Sequence, residues 1–102
     1  MARAKKIPPL HPCEVLYEDF ILPTGISIHR LAMDLRVPAN RIGEIVKGER
    51  AISADTALRL ARYLGTSAEF WLGLQSDHDL EKAKDELATK IAREVQPRKR
   101  AA

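Results

Sequence analysis

Apolar residues along the chain recur every three or four positions, and the alternation that marks a half-buried strand is absent. This spacing predicts an all-α protein of five or six helices. The helices are expected over 12–21, 28–35, 39–47 and 54–64, then from Thr66 through Leu74, with a final helical run over 77–94. The sequence leaves open whether this last run continues the fifth helix or is separated from it near Ser76.

Residues with strong preferences for helix ends mark several of these boundaries. Ser27 and Ser53 are expected to cap the second and fourth helices, because a serine hydroxyl can accept a hydrogen bond from a free backbone N–H group. Thr66 and Glu69 have the spacing of a capping box at the start of the fifth helix. Glycine suits the left-handed position after a helix, so Gly48 is expected to end the third. The first helix is expected to close at Pro23-Thr24-Gly25.

Each predicted helix has an apolar face that would turn towards a common core. The residues expected on these faces are Leu16 and Phe20; Ile28, Leu31, Ala32 and Leu35; Ile42, Ile45 and Val46; and Leu58, Ala61 and Leu64.

The segment 28–47 has the pattern of a helix-turn-helix, in which two short helices pack at a steep angle across a turn of about three residues. Ala32 is small where the two helices would touch. Arg36 occupies the turn position that usually holds glycine, at a cost of roughly 1 kcal/mol if its backbone is left-handed. The alternative interpretation is a helical hairpin that only packs. The apolar residues that fit the motif are Leu31, Leu35, Val37, Ile42 and Ile45.

The outward side chains of the second motif helix favour DNA recognition over simple packing. Asparagine pairs with adenine edges, arginine with guanine and glutamate with cytosine, and alanine can contact a thymine methyl group. The expected base contacts are therefore Ala39, Asn40, Arg41 and Glu44. The expected phosphate contacts flank them and are Ser27, Arg30, Arg36, Lys47 and Arg50.

The charge distribution agrees with this assignment. The net charge is only +3, but residues 27–62 hold seven basic and four acidic side chains, whereas 7–26 and 63–97 each sum to −3. A length of 102 residues suits one domain with tails. We expect a basic arm over 1–11, a helix-turn-helix domain over 12–75, a C-terminal helix over 76–95 and a basic tail over 96–102.

Several classes of protein are disfavoured by the composition. Cys13 is the single cysteine, so no internal disulfide can form, and no apolar run has the length of a membrane span. With no signal-peptide pattern either, we expect a cytoplasmic protein. The histidines His11, His29 and His78 share no metal-ligand spacing with one another or with Cys13. No nucleophile–base pair is evident, so we expect neither a cofactor, nor a metal, nor an enzyme.

Four stretches give the chain a specific resemblance. These stretches are 11–16 (HPCEVL), 37–42 (VPANRI), 48–57 (GERAISADTA) and 66–72 (TSAEFWL). Over 12–75 the chain resembles the Xre/Cro-like repressors, with their lambda-repressor-like fold, and more closely the HigA (VapI) antitoxins. The resemblance implies a dimeric autorepressor that also neutralises a HigB/RelE-like toxin, a small basic RNase that cleaves mRNA. A solitary regulator of the same fold, without a toxin, is the alternative.

A single helix-turn-helix reads only a few base pairs, so we expect a homodimer on a palindromic operator. The acidic region 63–97 carries more apolar residues than a small bundle needs, and they would either form a two-fold interface or fold back on their own domain. The residues expected at that interface are Phe70, Trp71, Leu74, Leu80 and Leu87. The acidic residues Glu14, Glu18 and Asp19 are expected to form a solvated helix face or a docking face for a basic toxin.

Overall fold

The computed structural model describes residues 11–99, and within them all regular structure is helical. Five helical segments follow one another: α1 over 12–24, α2 over Ile28–Leu35, α3 over Ala39–Val46, α4 over Ala54–Leu64 and α5 over Ala68–Glu94. The all-α fold class is therefore confirmed. Apart from His11, the expected basic arm lies outside the described residues, as do residues 100–102 of the basic tail.

Helix α1 is longer than expected and is not uniform. It consists of α-helical Pro12–Glu14, π-helical Val15–Ile21 and α-helical Leu22–Thr24. Pro23 was expected to help close this helix but lies inside it, in the first turn of the last segment, where a missing N–H group is tolerated. The helix ends at Gly25, which is part of the stretch expected to close it and has a left-handed φ of 73°.

Helices α2 and α3 form the predicted helix-turn-helix. Ser27 caps α2, its hydroxyl accepting a hydrogen bond of 2.9 Å from the N–H of Arg30. Arg36 has the left-handed backbone expected for the turn, with φ 62° and ψ 44°. This conformation lets the N–H of Val37 donate to the carbonyl of Ala32 at 3.0 Å, which closes α2. Gly48 follows α3 with a φ of 78°, as its sequence position predicts.

The buried face of α4 differs from the expected one. Ser53 caps this helix as predicted, but the buried residues are Thr56, Ala57 and Leu60, and Leu58 is 63% exposed. The hydrophobic pattern missed Thr56 because threonine counts as polar. Its hydroxyl accepts a hydrogen bond of 3.3 Å from the Ser53 hydroxyl, and this bond lowers the cost of burying it.

Helix α5 runs without a break through Ser76, so the fifth helix and the final helical run are one element and the expected boundary between 75 and 76 falls inside it. Ser67 rather than Thr66 caps the helix, accepting a hydrogen bond from the N–H of Phe70 at 3.0 Å. The hydroxyl of Thr66 is used differently, because it accepts a hydrogen bond of 2.7 Å from the indole N–H of Trp71.

The first turns of α5 belong to the core of the domain. Trp71 is fully buried within its own chain, so its expected place at a dimer interface is wrong. Leu74 is half-buried against the same core. The second half of α5 projects from the bundle, and Leu80, Leu87 and Ile91 remain exposed there. The fully buried residues from all five helices form one apolar core: Leu16, Leu31, Ala32, Ile42, Ile45, Ala57, Leu60 and Trp71.

Candidate nucleic-acid interface

Helix α3 presents its candidate base-reading side chains on the side opposite its buried face. Ile42 and Ile45 anchor the helix in the core with at most 1% exposure. Ala39 and Asn40 are exposed in its first turn, and Arg41 and Glu44 are partly exposed at the edge of that surface. Pro38 is the residue before the helix; its ring fixes φ, here −62°, and its ψ of 143° is extended.

The guanidinium of Arg41 is held by an acidic residue of the next helix. Its Nη1 lies 2.8 Å from Oδ2 of Asp55, which is in the first turn of α4. Asp55 also accepts from Nε of Arg59, with both carboxylate oxygens at 3.1 Å. The hydrogen bonds from Arg59 and then from Arg41 lower the pKa of the Asp55 carboxyl, so it is charged at neutral pH.

Arg59 connects this pair to the turn of the motif. Its Nη1 donates a hydrogen bond of 2.9 Å to the backbone carbonyl of Leu35, the last residue of α2. The carbonyl groups at a helix C-terminus lack partners within the helix, and a cation is favourable there. One set of contacts therefore runs from the end of α2, across α4, to the recognition helix α3.

A second ion pair joins α3 to the loop that follows it. Nε of Arg50 lies 2.8 Å from Oε1 of Glu44, and both side chains are partly exposed. Glu44 was expected to read a base and Arg50 to bind a phosphate, and in the structure these two side chains form an ion pair.

The remaining candidate phosphate contacts lie at the surface. Ser27 and Arg30 are exposed at the start of α2, where Nε of Arg30 also lies 3.2 Å from Oδ1 of Asp34. Arg36 is exposed in the turn and Lys47 just after α3.

A shallow depression separates the recognition helix from the start of α4. It has a volume of about 300 Å³ and is lined by Arg41, Arg50, Ala51, Ser53, Asp55 and Thr56. Two arginines and a helix N-terminus meet there, and both features favour an anion such as a phosphate. The Asp55 carboxylate in the same depression opposes an anion.

Sequence patterns did not identify Asp55 and Arg59 as parts of this site. Their spacing of four residues on one helix is a signal for a mutual ion pair and could have been noticed. The contact of Asp55 with Arg41 spans fourteen residues and depends on how α3 and α4 cross, so no local pattern contains it.

Two of the histidines are in contact in the folded chain. The rings of His11 and His78 lie 4.2 Å apart, at an angle of 64°, although 67 residues separate them. Burial, then the positive charge of His78 when protonated, lowers the pKa of His11. Burial raises the pKa of Cys13, which disfavours the thiolate. Within 11–99 no three His, Cys, Asp or Glu side chains are grouped as metal ligands, and no helix there is long and apolar enough to span a membrane.

Similarity to known proteins agrees with this geometry. The model of the helix-turn-helix family matches residues 21–71. Virulence-associated protein I of Dichelobacter nodosus is 46% identical over 85 residues, which cover 83% of this chain and 79% of the relative.

Two solved structures extend the comparison. The Pseudomonas aeruginosa antitoxin HigA with the higBA promoter is 43% identical, with a TM-score of 0.83 over 87% of this chain and 97% of that one. The antitoxin GraA in complex with its operator is 35% identical, with a TM-score of 0.86 over 97% of this chain and 100% of that one. The chain therefore belongs to the helix-turn-helix family and, within it, to the HigA antitoxins.

Proposed function

We propose that this chain is an antitoxin that binds operator DNA in a sequence-specific way, represses its own operon and neutralises a small basic RNase. The observation that carries the proposal is the exposed first turn of α3, presented by a helix-turn-helix whose relatives were solved on a promoter and on an operator. Neutralisation of a toxin rests on membership of the HigA antitoxins.

For base recognition we propose Ala39, Asn40 and Arg41, which lie in the first turn of α3, and Glu44, which lies one turn further along. We propose that the DNA phosphates are contacted by residues that flank the base-reading side chains of α3: Ser27, Arg30, Arg36, Lys47 and Arg50. Because Arg50 pairs with Glu44, its replacement would disturb a base contact as well as a phosphate contact.

The two classes of contact are separated by comparing Asn40→Ala with Lys47→Ala on the DNA upstream of the gene and on random DNA. Asn40→Ala should weaken binding to the operator by ~1–3 kcal/mol and leave random DNA unaffected. Lys47→Ala should weaken both and flatten the slope of log K against log salt by about 0.9 for each phosphate lost. If Asn40→Ala and Arg41→Ala both leave the preference for operator unchanged, the recognition face assigned to α3 is wrong.

We further propose that the DNA-bound form is a homodimer on a palindrome. Leu80, Leu87 and Ile91 lie along one side of α5 beyond the bundle, and their exposed fractions are 54%, 41% and 49%. Isologous pairing of this stripe would bury it and bring two recognition helices onto one DNA molecule.

The proposed toxin partner is tested by co-expression. A small basic protein encoded beside this gene should stop growth when produced alone, and growth should resume when this chain is produced with it. An adjacent gene whose product is harmless in this assay would favour the solitary regulator.

A further inference from the structure

The carboxylate of Asp55 suits the dipole of α4, because it lies in the first turn of that helix, but neither the dipole nor helix capping requires its contact with Arg41. Ser53 already caps α4, with its hydroxyl accepting from the N–H of Thr56. Ion pairs between exposed side chains add little to stability, and more than half of the Asp55 side chain is exposed. In addition, a negative charge beside DNA repels phosphates, so Asp55 should weaken binding unless it does something else there.

The geometry of the contact leaves Arg41 able to read a base. Asp55 engages only Nη1 of the guanidinium. Arginine can pair with O6 and N7 of guanine through either of two edges, and the one formed by Nη2 and Nε is not used by the bond to Asp55. A long arginine side chain normally loses much rotational freedom when it binds, and a partner that fixes it beforehand reduces that cost.

Asp55 is itself held by Arg59, and Arg59 is held by a backbone carbonyl. Both of its oxygens accept from Nε of Arg59, which lies one turn further along α4. Arg59 is anchored in turn by the carbonyl of Leu35, at the end of the first helix of the motif. The carboxylate therefore has a defined position relative to both helices of the motif.

We propose that Asp55 is a positioning residue for DNA specificity, which holds the Arg41 guanidinium in the orientation that reads a base and is held in place by Arg59. This inference rests on the base contact proposed for Arg41. It predicts that Asp55 raises the preference for operator DNA although its charge lowers affinity for DNA in general.

The test measures the dissociation constants of the full chain for operator and for random DNA at one salt concentration. Specificity is expressed as the dissociation constant for random DNA divided by that for operator DNA. For Asp55→Asn this ratio should fall by about tenfold or more, with random DNA bound as tightly as before or more tightly. Asp55→Glu keeps the charge and should recover part of the ratio. The matched control is Glu69→Gln, which removes a carboxylate from the first turn of α5 and should change neither constant.

A purely electrostatic role gives a different result. Removing one negative charge would then tighten binding to both DNAs equally, and an unchanged ratio in Asp55→Asn would overturn the proposal. Circular dichroism and thermal unfolding of each variant establish that the fold is retained.

A double-mutant cycle separates this inference from the proposed function. If Arg41→Ala lowers the ratio and Asp55→Asn has no further effect in its presence, the two residues act as a unit. If Arg41→Ala lowers the ratio but Asp55→Asn does not, positioning is wrong and the base contact stands. If Arg41→Ala itself leaves the ratio unchanged, the base contact is wrong, and the positioning role falls with it.

Discussion

The backbone N–H of Ile52 donates a hydrogen bond of 2.9 Å to Oε1 of Gln75, and both residues are buried. This bond joins the loop between α3 and α4 to the long helix α5. Gln75 also donates from Nε2 to Asp79 at 2.9 Å, so both ends of its amide have partners. Together with the buried side chain of Ile52, this bond fixes the loop that carries Arg50 to the core.

Replacing Gln75 with methionine should therefore destabilise the fold. The volume is nearly conserved, but the buried N–H of Ile52 would lose its acceptor, which costs ~1–3 kcal/mol. Urea unfolding at pH 7 measures the change, with Gln96→Met as a control because Gln96 is exposed beyond α5. Equal free energies of unfolding for Gln75→Met and the parent would show that the bond contributes nothing.

A pH dependence of stability is expected from His11. Its Nδ1 accepts a hydrogen bond of 3.0 Å from the N–H of Cys13, which requires an unprotonated Nδ1. Burial makes the largest contribution to the pKa of His11 and lowers it below the usual 6.5. Of the charged groups around it, His78 and Lys82 also lower the pKa, whereas Glu14 and Asp79 raise it.

The sign of the effect follows from proton linkage. The folded state binds fewer protons at His11 than the unfolded state, so its contribution is complete above pH 6.5 and is lost as the pH falls through 6.5 towards the folded pKa. Urea unfolding between pH 5 and 8 should show this loss, and His11→Asn should reduce it while keeping a side-chain acceptor. His29→Asn, on the exposed side of α2, is the matched control; a loss of equal steepness in His11→Asn would contradict the assignment.

Replacement of Arg36 by glycine should change stability and DNA binding in opposite directions. Glycine at this left-handed position should stabilise the chain by about 1 kcal/mol, or roughly 4–8 °C in Tm. The same substitution removes a cation from the proposed phosphate surface, so binding to operator and random DNA should weaken together. Arg36→Lys keeps both strain and charge and should change neither property. A lower Tm for Arg36→Gly would show that the arginine side chain makes a stabilising contact that outweighs the strain.

Local sequence signals predicted the helix-turn-helix because its determinants lie close together in the chain. Ser27, Ser53 and Gly48 each satisfy backbone groups within a few residues, and their roles at helix ends are confirmed. The left-handed conformation of Arg36 was predicted from its position in the turn, because arginine itself does not favour that conformation.

The missed features depend on how the helices pack. The hydrophobic pattern did not predict that Thr56 is buried and Leu58 exposed. It treats threonine as polar, whereas the hydroxyl of Thr56 can be buried because it has a hydrogen-bond partner. The contacts of Asp55 with Arg41, and of His11 with His78, join residues far apart in sequence and exist only in the folded chain. The sequence analysis considered these histidines only as metal ligands and so did not consider a contact between their rings.

The last prediction concerns the dimer, for which the structure offers an uncovered helix face. Leu80 and Leu87 are 54% and 41% exposed, and their spacing of seven residues places them on the same side of α5. The half of the helix beyond the bundle makes few tertiary contacts, and an isolated helical segment of that length is marginal in water without a packed apolar face. Pairing with a second copy would supply that packing.

The variant Leu80→Asp/Leu87→Asp should therefore be a folded monomer that binds operator at least tenfold more weakly, because each half-site would be bound independently. Sedimentation equilibrium measures the mass, and circular dichroism measures retention of the fold. Thr89→Asp, which adds an acid on the opposite side of α5, should remain dimeric and bind normally. A folded, intact dimer in the double variant would place the interface elsewhere on the chain, with exposed Phe70 the next residue to test.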